Sequence, residues 1–486
     1  MAHRLTLAVA AQAACCILIA SLAHAEYDPL ALFLTWRQDP ASTITIDWHS
    51  LPAESRTSQV AYRPMGFENW RFRTGHVQTL PGAKRIIHRV ELTGLQPATM
   101  YEFRLGPDSR IFSFRTMPAT ADEPVVFAIG GDTRHRREWM EQTNREAMKF
   151  DPDFIAWGGD LAYDDALIER ADKIVDWFDA CKATLITPEG RVVPVVVGIG
   201  NHEVVGGYWR NTEGYKPTDA WRLAIAPFFF RVFAFPGQPG YGVLDFGDYM
   251  SLIVADTDHA NPMDGAQLAW LEKTLAERSR VPHVFPMYHA PAYPSHRDYG
   301  NSLSRKVREL WVPLFEAYGV EVAFENHDHT YKRTVPILGG EPHPNGVVYM
   351  GDGAWGVSTR DVHPPEDAWY LAEALPKRHF ILVTLQGEER RIDVYDENGA
   401  QIDLWAPPPA PPAPECRARH KVPGAHPADV NGDGRVNAID IQLVTNHLLG
   451  RPVHENLQPD VNKDGLVNAL DVQAVINAVL GLPLRW

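Results

Sequence analysis

The sequence predicts a multidomain protein: an N-terminal β-sandwich, a central α/β sandwich and a small α-helical C-terminal module built on two Asp-rich loops. Three observations predict it. Residues 26–117 alternate apolar and polar positions in short runs such as Thr43-Ile44-Thr45-Ile46-Asp47-Trp48, each bounded by Pro, Gly or Ser, the pattern of half-buried antiparallel strands. From 118 to 405, continuous apolar runs (Val125–Ile129, Val193–Ile199, Leu252–Ala255) alternate with helical stretches near 136–149, 265–279 and 304–317, as buried strands flanked by helices do. Beyond a proline-rich spacer at 406–426, Asp429-Val430-Asn431-Gly432-Asp433-Gly434 recurs as Asp460-Val461-Asn462-Lys463-Asp464-Gly465, and each copy leads into a short amphipathic helix.

Composition bounds the function. The 486 residues are 45% hydrophobic and 22% charged, a globular balance that excludes a disordered tail or a polytopic membrane protein. A formal charge of -15 excludes nucleic-acid binding by general charge and attraction to anionic membranes. A phosphate-bearing ligand therefore needs a local positive site, which bound metal can provide. Residues 1–25 combine a basic start, an apolar run from Leu5 to Leu22 and Ala23-His24-Ala25, the order of a signal peptide cleaved near Ala25. An uncleaved anchor is the alternative, since about 18 apolar residues nearly span a bilayer. Cleavage would leave a secreted or cell-surface protein with no membrane segment and two cysteines, Cys181 and Cys416.

Within the first domain, Leu92-Thr93-Gly94-Leu95-Gln96-Pro97 leading to Tyr101 resembles a fibronectin type III module, with the aromatic residues read as core. In the second, five clusters each follow an apolar run: Gly131-Asp132-Thr133-Arg134, Gly159-Asp160-Leu161-Ala162-Tyr163, Gly200-Asn201-His202-Glu203, Tyr288-His289-Ala290-Pro291 and Glu325-Asn326-His327-Asp328-His329-Thr330-Tyr331. That order puts metal-binding side chains at the carboxyl ends of strands, where ligands of open α/β sheets collect.

These clusters resemble the calcineurin-like metallophosphoesterases, and Tyr163 makes the purple acid phosphatase branch the nearer likeness, over residues 26–405. The resemblance implies a four-layer sandwich, with Asp132, Asp160, Tyr163 and His329 around one metal and Asp160 bridging to a second held by Asn201, His289 and His327. A metal lowers the pKa of bound water to about 7, and a second about 3.5 to 4 Å away can stabilise phosphoryl charge. A phenolate ligand suits Fe(3+), whereas imidazole with amide and carboxylate suits Zn, Mn or Fe(II). By the family pattern His202 would position the ester or protonate the leaving oxygen, and His296 is a second candidate for that catalytic work.

Departures from the pattern leave alternatives. Arg134 stands where Gly is usual, either touching the substrate phosphate or forming a surface salt bridge. His135 is close enough to Asp132 to replace Tyr163 as a ligand. Asn326 replaces the usual Gly before His-x-His, a residue that tolerates positive φ.

The C-terminal repeats match calcium loops, with Asp429, Asn431, Asp433, Arg435, Asn437 and Asp440 in one copy and Asp460, Asn462, Asp464, Leu466, Asn468 and Asp471 in the other. Residues 427–486 resemble a type I dockerin, which implies two Ca(2+) ions and docking onto a cohesin-bearing scaffold; a calcium-stabilised cap with no partner is the alternative. The sequence thus predicts an exported binuclear phosphatase hydrolysing phosphate monoesters. The competing readings are a phosphodiesterase or nucleotide-cleaving enzyme, and a non-catalytic calcium-dependent adhesion protein.

Overall fold

A computed structural model describes residues 26–54, 56–364, 366–406, 426–430, 436, 438–450 and 457–482. The expected signal segment, most of the proline spacer, Cys416, and Asn431, Asp433, Arg435 and Asn437 lie outside the described residues.

Eight strands build the N-terminal sandwich: β1 Ala31–Thr35, β2 Thr43–Ser50, β3 Gln59–Pro64, β4 Arg71–Thr74, β5 His76–Thr79, β6 Ile86–Thr93, β7 Met100–Arg104 and β8 Phe112–Arg115. They form two antiparallel sheets, ordered β1-β2-β6-β5 and β4-β3-β7-β8. Alternation decides the inner faces: Ile44, Ile46, Tyr101, Phe103, Phe112 and Phe114 are buried, with Tyr101 stacked on Phe114. The aromatic residues Tyr101, Phe103, Phe112 and Phe114 are core, as the sequence predicted, whereas Phe67 and Phe72 are exposed.

The central domain comprises β9 Val125–Gly130, α1 Arg137–Met148, β10 Phe154–Trp157, α2 Ala171–Thr184, β11 Val195–Val197, α3 Asp219–Ile225, α4 Phe229–Val232, β12 Gly242–Phe246, β13 Met250–Val254, α5 Ala266–Glu277, β14 His283–Met287, α6 Ser302–Leu310, α7 Val312–Ala317, β15 Val322–Glu325, β16 Tyr331–Thr334, β17 Ile337–Leu338, β18 Glu341–Pro342, β19 Val348–Gly351, β20 Leu371–Leu375, β21 His379–Gln386, β22 Glu389–Asp396 and β23 Gln401–Trp405. One mixed sheet runs β11-β10-β9-β21-β22-β23 and the other β12-β13-β14-β15-β19-β16-β20.

Each central strand has two apolar faces because each sheet is covered twice. Phe127, Ile129, Ala156, Leu252, Phe285 and Phe324 meet between the sheets. Ala128, Ile155 and Trp157 face outward onto Met140 and Ala147 of α1 and Trp177 and Phe178 of α2. Ile253 and Ala323 pack on Leu271, Trp311 and Phe315 of the other helix layer. The result is helix, sheet, sheet, helix, four layers deep. The helix expected at 304–317 is broken at Trp311, and Pro313 opens α7, where its missing N–H costs nothing.

The sandwich docks on α2 through Phe33 and His49, whose rings stand 5.0 and 4.7 Å from that of Phe178. At the C-terminus, α8 Ala438–Leu448 and α9 Ala469–Val479 pair, and buried Asp440 and Asp471 accept the backbone N–H of Val430 and Val461 respectively. No helix among the described residues is long and apolar enough to cross a membrane.

Candidate metal centre

The parallel strands β9, β10, β11, β14 and β15 deliver all five clusters to one edge of the paired sheets. Two Gly-Asp loops start the site, tied together by Asp132 N–H donating to Gly159 O at 3.0 Å and Thr133 N–H to Asp160 O at 2.9 Å. To aim their carboxylates inward, Asp132 and Asp160 both take φ 54°, and Tyr163, His327 and His329 take 58°, 83° and 60°. Five non-glycine residues in the left-handed region of one site is strain that the surrounding packing must hold.

The side chains form two groups. In the first, Tyr163 OH donates to Asp132 Oδ1 at 3.0 Å and lies 3.0 Å from His329 Nε2, which is itself 3.0 Å from Asp132 Oδ1. His329 Nδ1 faces Ser358 O at 3.2 Å, leaving Nε2 toward the group. In the second, Asp160, His289 and His327 converge, with His289 Nε2 3.1 Å from both Asp160 Oδ2 and His327 Nδ1, while His289 Nδ1 faces Gly158 O at 3.1 Å. Asn201 opens a short 3-10 turn beside them, and its Oδ1 is buried with no hydrogen-bond partner among the described residues.

That orphaned oxygen is the fit test for a cation. A buried amide oxygen without a donor costs free energy unless something electropositive faces it. The glycines agree: a Cβ on Gly353 would fall 1.8 Å from Asp132 Oδ2, and one on Gly200 2.3 Å from Asp160 Oδ1. The chain leaves room for bare carboxylates and supplies oxygen and imidazole donors, a set suited to iron and to Zn, Mn or Fe(II).

Electrostatics follow from burial. At His289, burial disfavours the charged ring, but Asp160, Asp132 and Glu203 together outweigh it and raise the pKa to about 9. Burial and neighbouring His289 push His327 well below its ordinary value. Glu203 is raised to about 8 by burial and by Asp160; its carboxyl oxygens accept the N–H groups of Asp160, Leu161 and Gly200 at 2.7 Å each. It thereby fixes the loop that carries Asn201.

Around this floor stand the other sequence candidates. His202 donates its backbone N–H to Asp160 Oδ1 at 2.8 Å, its Nε2 lies 3.9 Å from Asp160 Oδ2, and its Nδ1 meets Asp165 Oδ1. His296 sits at the rim, its Nδ1 2.7 Å from Asp361 O. Arg134 is engaged by Asp176 on α2 and by Ala162 O, an ion-pair arrangement. His135 packs edge-on to Tyr163 and bonds Ser358 Oγ at 3.0 Å. It is therefore Tyr163 whose oxygen joins the Asp132 and His329 group. Asn326 does not carry the positive φ expected of it; that geometry falls on His327 instead. Asn326 fills the space beside Gly131 and Gly158 and donates its Nδ2 to Tyr288 O at 2.9 Å, so it works as a wedge between strand ends.

Sequence reasoning missed Asp165, Arg297 and Arg360. Both arginines donate to His327 O, at 2.8 and 3.3 Å, and Arg297 is also ion-paired with buried Asp328. Their only sequence signal was residue type in loops after strands, which charged surface residues share.

Residues 126–331 match the family model of the calcineurin-like phosphoesterases, residues 29–116 that of the purple acid phosphatase N-terminal domain and residues 427–480 that of the dockerin type I domain. The chain is purple acid phosphatase-like. It is 30% identical over 276 residues to purple acid phosphatase 22 of Arabidopsis thaliana, covering 55% of this chain and 58% of that one. With purple acid phosphatase 21 of the same plant it shares 28% over 274 residues, again spanning 58% of the relative's length. Human acid phosphatase type 7 is 25% identical over 382 residues, covering 70% of this chain and 81% of that one. Among solved structures, purple acid phosphatase PPD1 from yellow lupin superposes with a TM-score of 0.62 at 18% identity, covering 77% of this chain and 73% of that one. The family likeness read from the five clusters thus holds for both the phosphoesterase domain and the sandwich before it.

Proposed function

We propose that the chain is an exported binuclear metallophosphatase that hydrolyses phosphate monoesters and is tethered through a calcium-binding dockerin. The observation that carries this reading is the buried convergence of Asp132, Asp160, Tyr163, Asn201, His289, His327 and His329, with Asn201 Oδ1 left without a protein partner. Asp132, Tyr163 and His329 would hold Fe(3+), Asn201, His289 and His327 a divalent Zn, Mn or Fe(II), and Asp160 would be shared. When bound, such a pair supplies a low-pKa water and neutralises phosphoryl charge.

The chain's own residues do the rest. Arg297 and Arg360, anchored on the His327 carbonyl, bring cationic donors to the mouth where an ester dianion enters. Asp165 fixes the His202 ring through Nδ1, turning Nε2 toward Asp160 and the centre, where it can deliver a proton to the leaving oxygen. His296 is a second proton carrier at the rim, and its hydrogen bond to Asp361 O fixes its ring. Arg134 keeps its guanidinium on Asp176 of α2, which favours the salt-bridge alternative over contact with the phosphate.

We place the working unit at 26–117 and 118–405, the linker at 406–426 and the dockerin at 427–486. In the second repeat, Asp460, Asn462 and Asp464 already turn their oxygens onto the loop's own N–H groups, with Gly465 at φ 87° making the sharp turn. Two Ca(2+) ions and a cohesin on a scaffold are the partners this module implies, at the cell surface or outside it.

The test is hydrolysis of a phosphate monoester against a diester by the wild type and Asp160→Asn. Monoester turnover that Asp160→Asn abolishes supports the proposal; cleavage of the diester alone, or unchanged turnover in the variant, contradicts it.

A further inference from the structure

Directly behind the metal-site loops lies a fully buried ion cluster. Lys332 of β16 has no exposed surface, and its Nζ ion-pairs with Glu325 at the end of β15 and, at 3.0 Å, with Asp352 just after β19. Two carboxylates and one ammonium are thus removed from water together, so each carboxylate depends on the one cation.

What the carboxylates hold is the loop that follows β14. Glu325 Oε1 accepts the hydroxyl of Tyr288, the residue before His289, at 2.6 Å, and the backbone N–H of Ala292 at 2.6 Å. Asp352 Oδ2 accepts the N–H of Ser295, the residue before His296, at 3.0 Å. The same residues hold the His327 and His329 loop: Asp352 O accepts His329 N–H at 2.8 Å, and Asp352 N–H donates to Glu325 O at 2.8 Å. Asp352 also leads into Gly353, against which Asp132 packs. The carboxylates thus hold the loop after β14, while the backbones of the same two residues hold the loop after β15, and Gly353 beside them backs Asp132.

We infer that Lys332 is a positioning residue for the metal centre, its ammonium balancing Glu325 and Asp352 so that the loops bearing His289 and His327 to His329 keep one register. The inference rests on the metal-centre reading above. Lys332 touches no substrate; it acts through the two carboxylates.

The experiment measures zinc retained per chain against a competing chelator, together with the melting temperature of the metal-free protein, for the full chain, Lys332→Met and the charge-neutral triple Lys332→Met/Glu325→Gln/Asp352→Asn. Gln and Asn keep the acceptor oxygens while removing the charges that need the lysine. The expected result is zinc retention weakened at least about tenfold in Lys332→Met, and restored to within about threefold of wild type in the triple. Wild-type zinc retention in a Lys332→Met protein that has merely lost thermal stability would overturn the inference, as would a triple that folds but holds zinc as poorly as the single variant. If Lys332→Met yields no folded protein, the triple decides alone: retention within threefold supports the inference, and tenfold loss or failure to fold overturns it. A wild-type chain that binds no zinc at all fails the metal-centre reading itself, a different outcome from any of these.

Discussion

His202 and Asp165 form a hydrogen-bonded pair at the mouth of the site, Nδ1 to Oδ1, and Asp165 holds this position with its own backbone at φ 56°. An aspartate accepting from Nδ1–H fixes the ring so that Nε2 faces the reacting group.

Asp165→Asn should therefore lower kcat for a phosphate monoester by about tenfold or more while leaving KM and the metal content near wild type, and His202→Ala should lie in the range of about 10² to 10⁴-fold expected of a lost general acid. Steady-state kinetics beside elemental analysis check this. A rise in KM at unchanged kcat would mean that the pair serves ground-state binding instead.

Tyr163 brings its phenol oxygen to the Asp132 and His329 group, and its ring is backed by Ala354 and Val357. Tyr163→Phe keeps that packing and removes only the oxygen. The iron-containing protein should lose its visible charge-transfer band and hold iron at least about tenfold more weakly, with far-UV circular dichroism unchanged.

Gly353 takes φ 65°, and any Cβ there would lie 1.8 Å from Asp132 Oδ2. Gly353→Ala must displace the carboxylate or the loop, so it should lower the melting temperature by an amount corresponding to about 1 to 3 kcal/mol and reduce metal content together with activity. Differential scanning calorimetry and elemental analysis read the two effects. The exposed Gly387, which has open space around it, serves as the control for positive φ alone.

Burial lowers the pKa of His49 to about 3 and that of His88 to about 4, and neither ring nitrogen of His49 has a hydrogen-bond partner. The unfolded chain takes up protons at these histidines near pH 6.5 while the folded chain does not, so stability is full above about pH 6.5 and falls as pH drops toward 3. For fully buried His49 the slope is at most about 1.4 kcal/mol per pH unit. His49→Phe, which keeps a ring against Phe178, should flatten the melting-temperature profile between pH 6.5 and 4. An unchanged slope would show that other groups set it.

The five clusters were legible because each is local: an apolar run followed by metal-binding residues fixes both the strand and the edge at which it ends. The sandwich was legible from alternation at Thr43–Trp48, now strand β2 with Ile44 and Ile46 turned inward. What stayed hidden is what tertiary contact creates. Lys332 reads as an ordinary β-strand lysine until Glu325 and Asp352 close on it, and Asp165 reads as a turn residue until His202 is brought to it from the loop after β11. Asn326 replaces the usual Gly without taking positive φ: the sharp turn sits on His327, and the Asn326 side chain fills the space beside Gly131 and Gly158.

The most direct test of the metal centre is elemental analysis of the purified full chain with its visible absorption spectrum, counting iron and divalent transition metal separately from calcium. A binuclear centre at Asp132, Asp160, Tyr163, Asn201, His289, His327 and His329 should give one iron and one divalent ion per folded chain, with a purple absorption that Tyr163→Phe removes. A folded chain that takes up neither iron nor a divalent transition metal would contradict it.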